Sequence, residues 1–320
     1  MTSTAHWDSY WQASRSLNSF GEGEAASGYE GELLALWNNS FKQLADNATV
    51  LDVGTGNGAI AVAARKYSNL TQRRFTIYGA DAANIKPLQV FADNSEIAGL
   101  LATITFYPEC KTEALPFADA SVDLVTSQFA FEYAERDAAL HECIRVLKPA
   151  GQFMAIMHHT NSDIAKDSAA GVAVLNQFLN ASAFFKHART LLACMAEQAQ
   201  RAETPALVQR TQQANQSVLN CSRQIKQQLG PESLAWYNDV MARVAKLIVN
   251  FSVTSMTQLD IEQQRLALFL KRLVDQQQAS LSTAGAAELS ALLTARGYAY
   301  QLTELNIEEH LFGWLLKIKK

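Results

Sequence analysis

Residues 50–59 read Val50-Leu51-Asp52-Val53-Gly54-Thr55-Gly56-Asn57-Gly58-Ala59, an apolar run holding one acid, then three glycines at alternate positions, then the start of a helical pattern. A buried strand that stops at Gly54 and restarts as a helix near Ala59 has to turn tightly, and glycine accepts the positive φ that other residues resist. Without side chains in the way, the backbone N–H groups of such a turn and the helix N-terminus behind it approach a ligand closely. A strand-turn-helix unit around a nucleotide-like cofactor follows.

Glycines alone do not choose the cofactor, because Gly54, Gly56 and Ala59 also satisfy the loose dinucleotide fingerprint. Asp52 decides. It stands where a dinucleotide site is apolar, and a carboxylate there holds an ammonium group or fixes the loop through backbone N–H bonds, favouring a cofactor with an amino-acid part. Further on, Phe75-Thr-Ile-Tyr-Gly-Ala-Asp81 reads as a second strand ending in an acid placed to accept from a ribose diol. A third strand spans 103–107. Leu115-Pro-Phe117 precedes a fourth strand, and after an amphipathic helix Arg145-Val-Leu-Lys-Pro-Ala-Gly151 punctuates a helix end before a strand at 152–157.

Taken together, residues 49–157 resemble the class I S-adenosylmethionine-dependent methyltransferases, especially the ubiquinone/menaquinone-biosynthesis type. The shared signatures are an acid-Gly-x-Gly-x-Gly turn, a Leu-Pro-Phe turn and a Val-Leu-Lys-Pro-Gly-Gly end. The resemblance implies an α/β fold with a Rossmann-like seven-stranded sheet and S-adenosyl-L-methionine as cofactor. It places Gly54, Thr55, Gly56, Asn57 and Gly58 under the methionine part, with Asp52 organising the loop. Asp81 would bind the ribose hydroxyls, Ala82 would lie beside the adenine, and Gln128 and Phe129 would touch the methionine end. Tyr10, Trp11 or Tyr29 would close the site from the N-terminal side; alternatively, Trp7 and Trp11 anchor an amphipathic helix to the sheet edge.

Two departures stand out. The family's acid before Leu-Pro-Phe, which accepts from the adenine amino group, is Lys111 here, and a lysine only donates. Glu113 or Glu109 could take over, or the amino group could face water or a carbonyl, with Thr112 still offering its backbone N–H to the ring. Ala150 replaces the first glycine of the Pro-Gly-Gly end, which touches only that turn.

Methyl transfer from a sulfonium is an in-line displacement with a good leaving group, so positioning the acceptor supplies much of the rate. A hydroxyl or ammonium acceptor also needs a base, and histidine suits neutral pH. His158 and His159 follow the fifth strand directly, and adjacent strand residues face opposite ways, so one of them should enter the pocket. The bland alternative is that both are loop residues bonded to water or backbone. Glu132 is the second candidate, in Ser127-Gln-Phe-Ala-Phe-Glu-Tyr133, against a solvated or helix-capping role. That segment lacks the Asn/Asp-Pro-Pro-Tyr/Phe tetrad of base and glutamine methylases. Glu132, Glu135 and Asp137 lie on a helix whose charges are solvated, so no metal is expected.

The chain has 320 residues, 48% of them hydrophobic, and a formal charge of −4, which gives no footprint for nucleic acid. Four scattered cysteines show neither metal-ligand nor disulfide spacing. No apolar run approaches the roughly 20 residues of a membrane span, and the N-terminus lacks a signal-peptide layout. A soluble, cytoplasmic protein is expected.

Three parts are expected: residues 1–48 as an aromatic lid with a mobile glycine-rich link at 21–31 and a helix at 32–44; 49–160 with 283–320 as the core; and 161–282 as a helical insertion. The insertion is rich in Ala, Gln and Leu, with helices at 162–198, 204–229, 231–252 and 256–279. Leu207, Thr211, Ala214, Val218, Cys221 and Ile225 form a stripe of small residues that suits a bundle core or a homodimer seam. The core then resumes with a helix at 286–296 and strands at 298–306 and 310–318. The insertion leaves and returns at the ligand-binding edge, so it would shape or cap the pocket, with Phe184 and Phe185 as walls. The acceptor would be a small, partly apolar molecule, oxygen ahead of nitrogen. The alternatives are a protein substrate docked on the insertion and a non-catalytic S-adenosylmethionine-binding protein; a nicotinamide oxidoreductase trails by glycine pattern alone.

Overall fold

The computed structural model describes residues 4–19, 28–201 and 204–320, so most of the expected link at 21–31 lies outside the described residues. The chain forms two compact units: residues up to 165 together with 278–320, and residues 166–277.

The first unit is built on a seven-stranded sheet: β1 (Thr49–Val53), β2 (Thr76–Ala80), β3 (Thr105–Tyr107), β4 (Val122–Gln128), β5 (Leu147–Met157), β6 (Ala299–Ile307) and β7 (His310–Lys319). Their order is β3-β2-β1-β4-β5-β7-β6. β1 to β5 are mutually parallel, and β7 runs antiparallel to both of its neighbours. The strands β1 and β4 are buried along almost their whole length, which is why they read as apolar runs without alternation. Successive residues nevertheless feed opposite faces. Val50 and Leu124 pack with Trp37 and Phe41 of α2 (Gly31–Lys42) and Ile60 of α3 (Ala59–Leu70), whereas Leu51 and Val125 pack with Leu140 of α6 (Arg136–Val146) and Leu289 of α12 (Thr283–Ala295). Each such side chain contributes about 1.5–3 kcal/mol by leaving water.

Helix ends follow local chemistry. Pro87 opens the short α4 (Pro87–Val90), where its missing N–H costs nothing. Asn94 caps α5 (Ser95–Leu101) by accepting from the Ile97 amide at 3.1 Å, and Glu135 caps α6 by accepting from the Ala138 amide at 2.8 Å. Ser282 caps α12, and Gly297 at φ 72° ends it.

β5 starts at Leu147 rather than at 152. Leu147 pairs with Val122 and Gln152 with Leu124, so residues 148–151 bulge from a strand instead of preceding it. Ala150 there adopts φ 65° and donates its amide to Lys320 O at 2.9 Å.

The second unit is all-helical. The expected helix at 162–198 is two helices, α7 (Asp163–Asn176) and α8 (Phe184–Gln200), because a π-turn at Gln177–Ala181 and an extended Ser182 break it. α9 (Pro205–Gln227), α10 (Leu234–Val249) and α11 (Ser255–Ala279) lie within three residues of expectation. Of the small-residue stripe, Leu207, Ala214, Val218, Cys221 and Ile225 are buried in this unit's own interior. Phe184 and Phe185 are buried there too, Phe184 edge-on to Phe178 at 4.8 Å; they are bundle core and not pocket walls. Among the described residues no helix is long and apolar enough to cross a membrane.

Candidate active site

The turn after β1 takes the backbone path that its glycines allow, with φ of 66°, 53° and 96° at Gly54, Gly56 and Gly58. Side chains are also excluded by space: a Cβ on Gly54 would lie 2.0 Å from the Ala130 Cβ, and one on Gly56 would lie 2.4 Å from the Trp11 ring. The Thr55 amide donates to Ala80 O at 3.0 Å, tying the turn to the end of β2.

Asp52 is buried beneath this turn. It accepts from the Thr55 hydroxyl at 2.6 Å and from the Thr126 hydroxyl on β4 at 2.9 Å. Burial pushes its carboxyl up to about 7 against these two hydrogen bonds, and the charge of Asp81 adds to the rise. Tyr29 lies close enough to Asp52 for the two charges to be coupled; burial first, then Asp52, raises its phenol well above the ordinary value.

Asp81, at the end of β2, accepts from the Gly56 amide at 2.7 Å and the Ala83 amide at 2.8 Å. Burial raises it to about 6, these two amides oppose the rise, and Asp8 adds to it. Ala82 beside it is exposed. Lys111 is exposed, Thr112 is half-buried, and Glu113 accepts from the Glu135 amide at 3.0 Å.

The N-terminal helix α1 (Ala5–Ala13) is fixed directly to the turn. Asn57, fully buried, donates through Nδ2 to the carbonyls of Trp11 at 3.1 Å and Ser16 at 3.0 Å. Asp8 accepts from the Asn84 amide at 2.8 Å, and Gln12 donates to Asn84 O at 2.7 Å. Trp11 packs with Ala83 and Ile85, and Trp7 sits edge-on to Tyr133 at 5.4 Å. The sequence left two uses for these aromatics open, a cover or a sheet-edge anchor; the described helix lies against the glycine turn.

At the end of β4, Gln128 accepts at Oε1 from the Trp37 indole at 2.8 Å. An indole N–H only donates, so this contact orients the carboxamide and leaves Nε2 buried with no hydrogen-bond partner among the described residues. Phe129 takes φ 56°, an uncommon value for a bulky residue, and its ring stacks on His158 with centroids 4.0 Å apart and planes 4° apart. Glu132 accepts from the His158 amide at 2.7 Å, and burial raises its carboxyl to about 8.

The two histidines diverge. His158 lies among Phe129, Tyr133 and Glu132 at the ends of β4 and β5. His159 faces β6 and β7: its ring stacks on Trp314 at 4.8 Å, Nδ1 accepts from the Asn161 amide at 2.9 Å, and Nε2 lies 3.4 Å from Glu304 Oε1. Sequence reasoning missed Thr126, Trp37, Gln12 and Asn84 as site residues. Strand alternation offered a signal for Thr126, two residues before Gln128; Trp37 and Asn84 had none.

The glycine cradle, the acid beneath it, the acid ending β2 and an oriented, unpartnered amide at the end of β4 fit a cofactor with an amino-acid end and a ribose. Combined with a β3-β2-β1-β4-β5-β7-β6 sheet whose seventh strand is reversed, they define the class I S-adenosylmethionine-dependent methyltransferase architecture. Comparison with known proteins agrees: residues 51–155 match the family model of the methyltransferase domain.

Over 107 residues the chain is 41% identical to the ubiquinone/menaquinone biosynthesis C-methyltransferase UbiE of Xanthomonas campestris pv. campestris, covering 32% of this chain and 39% of that one. Over 41 residues it is 58% identical to a malonyl-acyl-carrier-protein O-methyltransferase of Methylococcus capsulatus, covering 12% and 15%. The chain thus spans well under half the length of these relatives. The crystal structure of an S-adenosylmethionine-dependent methyltransferase from Aquifex aeolicus aligns over 93% of this chain and 92% of its own, with 12% identity and a TM-score of 0.43.

Proposed function

We propose that the protein transfers a methyl group from S-adenosylmethionine to an oxygen, or secondarily a nitrogen, of a small, partly apolar molecule by in-line displacement. The observation that carries this reading is the Asp81 carboxylate on the Gly56 amide, which fixes a ribose-binding acid against the glycine cradle. The cofactor supplies a methyl group already activated on a sulfonium. The protein's part is then to hold and orient the acceptor and to take a proton from it.

His158 suits the second task by position, since it lies beside Phe129 and Tyr133 at the ends of β4 and β5, whereas His159 faces Trp314 and Glu304. Glu132, raised by burial to about 8, accepts from the His158 amide and so holds the backbone of that residue in place. The segment after His159 leaves for the helical insertion, and the returning chain pairs beside it, the Leu281 amide donating to His158 O at 2.9 Å. Of the relatives named above, one is named a C-methyltransferase and one an O-methyltransferase; the second name supports oxygen as the acceptor atom.

Incubation with methyl-labelled S-adenosylmethionine and a panel of phenols, carboxylic acids and amines tests the proposal. Labelled oxygen-methylated product, lost in His158→Asn and kept in His159→Asn, is the expected result. Labelling only of added polypeptides would shift the reading to a protein substrate, and cofactor binding without any turnover would favour a binding protein.

A further inference from the structure

The adenosine half of the cofactor presents two sets of donors, the ribose diol and the exocyclic amino group of the adenine. Asp81 answers the first. For the second, the loop opposite Ala82 and Ala83 offers Lys111, which only donates. Glu113 in that loop is turned to the N-terminus of α6, where it accepts the Glu135 amide at 3.0 Å. Glu109 is exposed, and its amide is bound to Ala83 O at 3.1 Å.

One further carboxylate reaches the loop that follows Asp81, and it comes from a different element. Asp8 accepts the Asn84 amide through Oδ1 at 2.8 Å, while Gln12, one turn along α1, donates to Asn84 O at 2.7 Å. Trp11 on the same helix lies against Gly56, and Asn57 holds the carbonyls of Trp11 and Ser16, so α1 is registered on both the turn and the loop. Asp8 Oδ2 makes no hydrogen bond among the described residues, and the side chain is half-buried. The charge of Asp8 also raises the Asp81 carboxyl, so the two acids are near neighbours.

We infer that Asp8 is the acceptor for the adenine amino group, taking the place vacated at Lys111. The inference rests on the binding of S-adenosylmethionine at the 52–58 turn. It makes the N-terminal helix a specificity element for the base, beyond its packing on the turn.

The test is calorimetric titration of the wild type and Asp8→Asn with S-adenosylhomocysteine and with S-inosylhomocysteine, whose base carries an oxo group where adenine carries the amine. In Asp8→Asn the side-chain oxygen still accepts from Asn84, but the free position becomes an amide donor, which repels the adenine amine and complements the oxo group. The wild type is expected to prefer S-adenosylhomocysteine by about tenfold or more, and Asp8→Asn to lose or reverse that preference. An unchanged preference in Asp8→Asn, or an equal loss for both ligands, overturns the inference, because Asp8 then only anchors α1. A wild type that binds neither ligand overturns the cofactor reading itself. Matching thermal melts of the two proteins exclude misfolding as the cause.

Discussion

The Asp81 carboxylate bridges two backbone amides, Gly56 at 2.7 Å and Ala83 at 2.8 Å, and so joins the turn after β1 to the loop after β2. An acid that holds the cradle and is also the proposed ribose acceptor would make cofactor binding and local order one property. Substitutions in the cradle should therefore be felt in both.

Gly56→Ala is the sharpest of these. It places a methyl group in a left-handed conformation at φ 53° and within 2.4 Å of the Trp11 ring. The backbone alone costs roughly 1–2 kcal/mol, and Trp11 must also move. Thermal melting should show a loss of at least that size, and titration should show S-adenosylhomocysteine affinity reduced tenfold or more. Wild-type melting and affinity would mean that Trp11 does not pack on the turn.

Glu132, Asp52 and Asp81 are raised to about 8, 7 and 6, in each case chiefly by burial. The folded protein keeps protons that the unfolded chain, with carboxyl pKa values near 4, releases. The stability linked to these groups is complete below about pH 4 and is lost as pH rises through 6 to 8. Denaturant titrations should therefore show stability falling from about pH 4 to about pH 8, most steeply below pH 6 where all three groups contribute. Glu132→Gln should flatten the upper part of that fall by a few kcal/mol, since each tenfold difference in proton affinity between the folded and unfolded chain is worth about 1.4 kcal/mol. An unchanged slope would place Glu132 in a hydrated setting.

Trp37 and Gln128 form a buried indole-carboxamide pair. Gln128→Leu orphans the indole N–H at a cost of about 1–3 kcal/mol, and Trp37→Phe leaves the carboxamide oxygen unpaired. A double-mutant cycle by chemical denaturation should give a double variant less destabilised than the sum of the singles. Strict additivity would show that the two side chains do not interact.

Ala150 stands at φ 65° in the β5 bulge, a left-handed conformation that glycine adopts without strain. Ala150→Gly should stabilise the protein by about 0.5–1 kcal/mol, the relief of the left-handed strain less the added freedom of the unfolded chain. A lower melting temperature for this variant would contradict the bulge conformation.

The elements around the turn were legible because their chemistry is local. Asp52, the three glycines and Asp81 sit within strand ends and turns that a short window captures, and the resemblance supplied the seven-stranded sheet. Contacts between distant elements were not legible. Asp8 meets Asn84 across 76 positions and Trp37 meets Gln128 across 91, and no periodicity links such pairs. Alternation foretold that His158 and His159 would face apart; which one turned toward Phe129 depended on Trp314 and Glu304, from strands at the other end of the chain. The break between α7 and α8 was hidden for another reason, since Gln177–Ala181 contains no proline or glycine and departs from the α-helix only in its hydrogen bonding.

Calorimetric titration of S-adenosylmethionine and S-adenosylhomocysteine into the wild type and Asp81→Ala bears most directly on the site. Micromolar binding with one site per chain, lost or weakened at least a hundredfold in Asp81→Ala, is the predicted result. No binding by the wild type, or equal binding by the variant, would contradict the assignment of the 52–58 turn and Asp81 as the cofactor site.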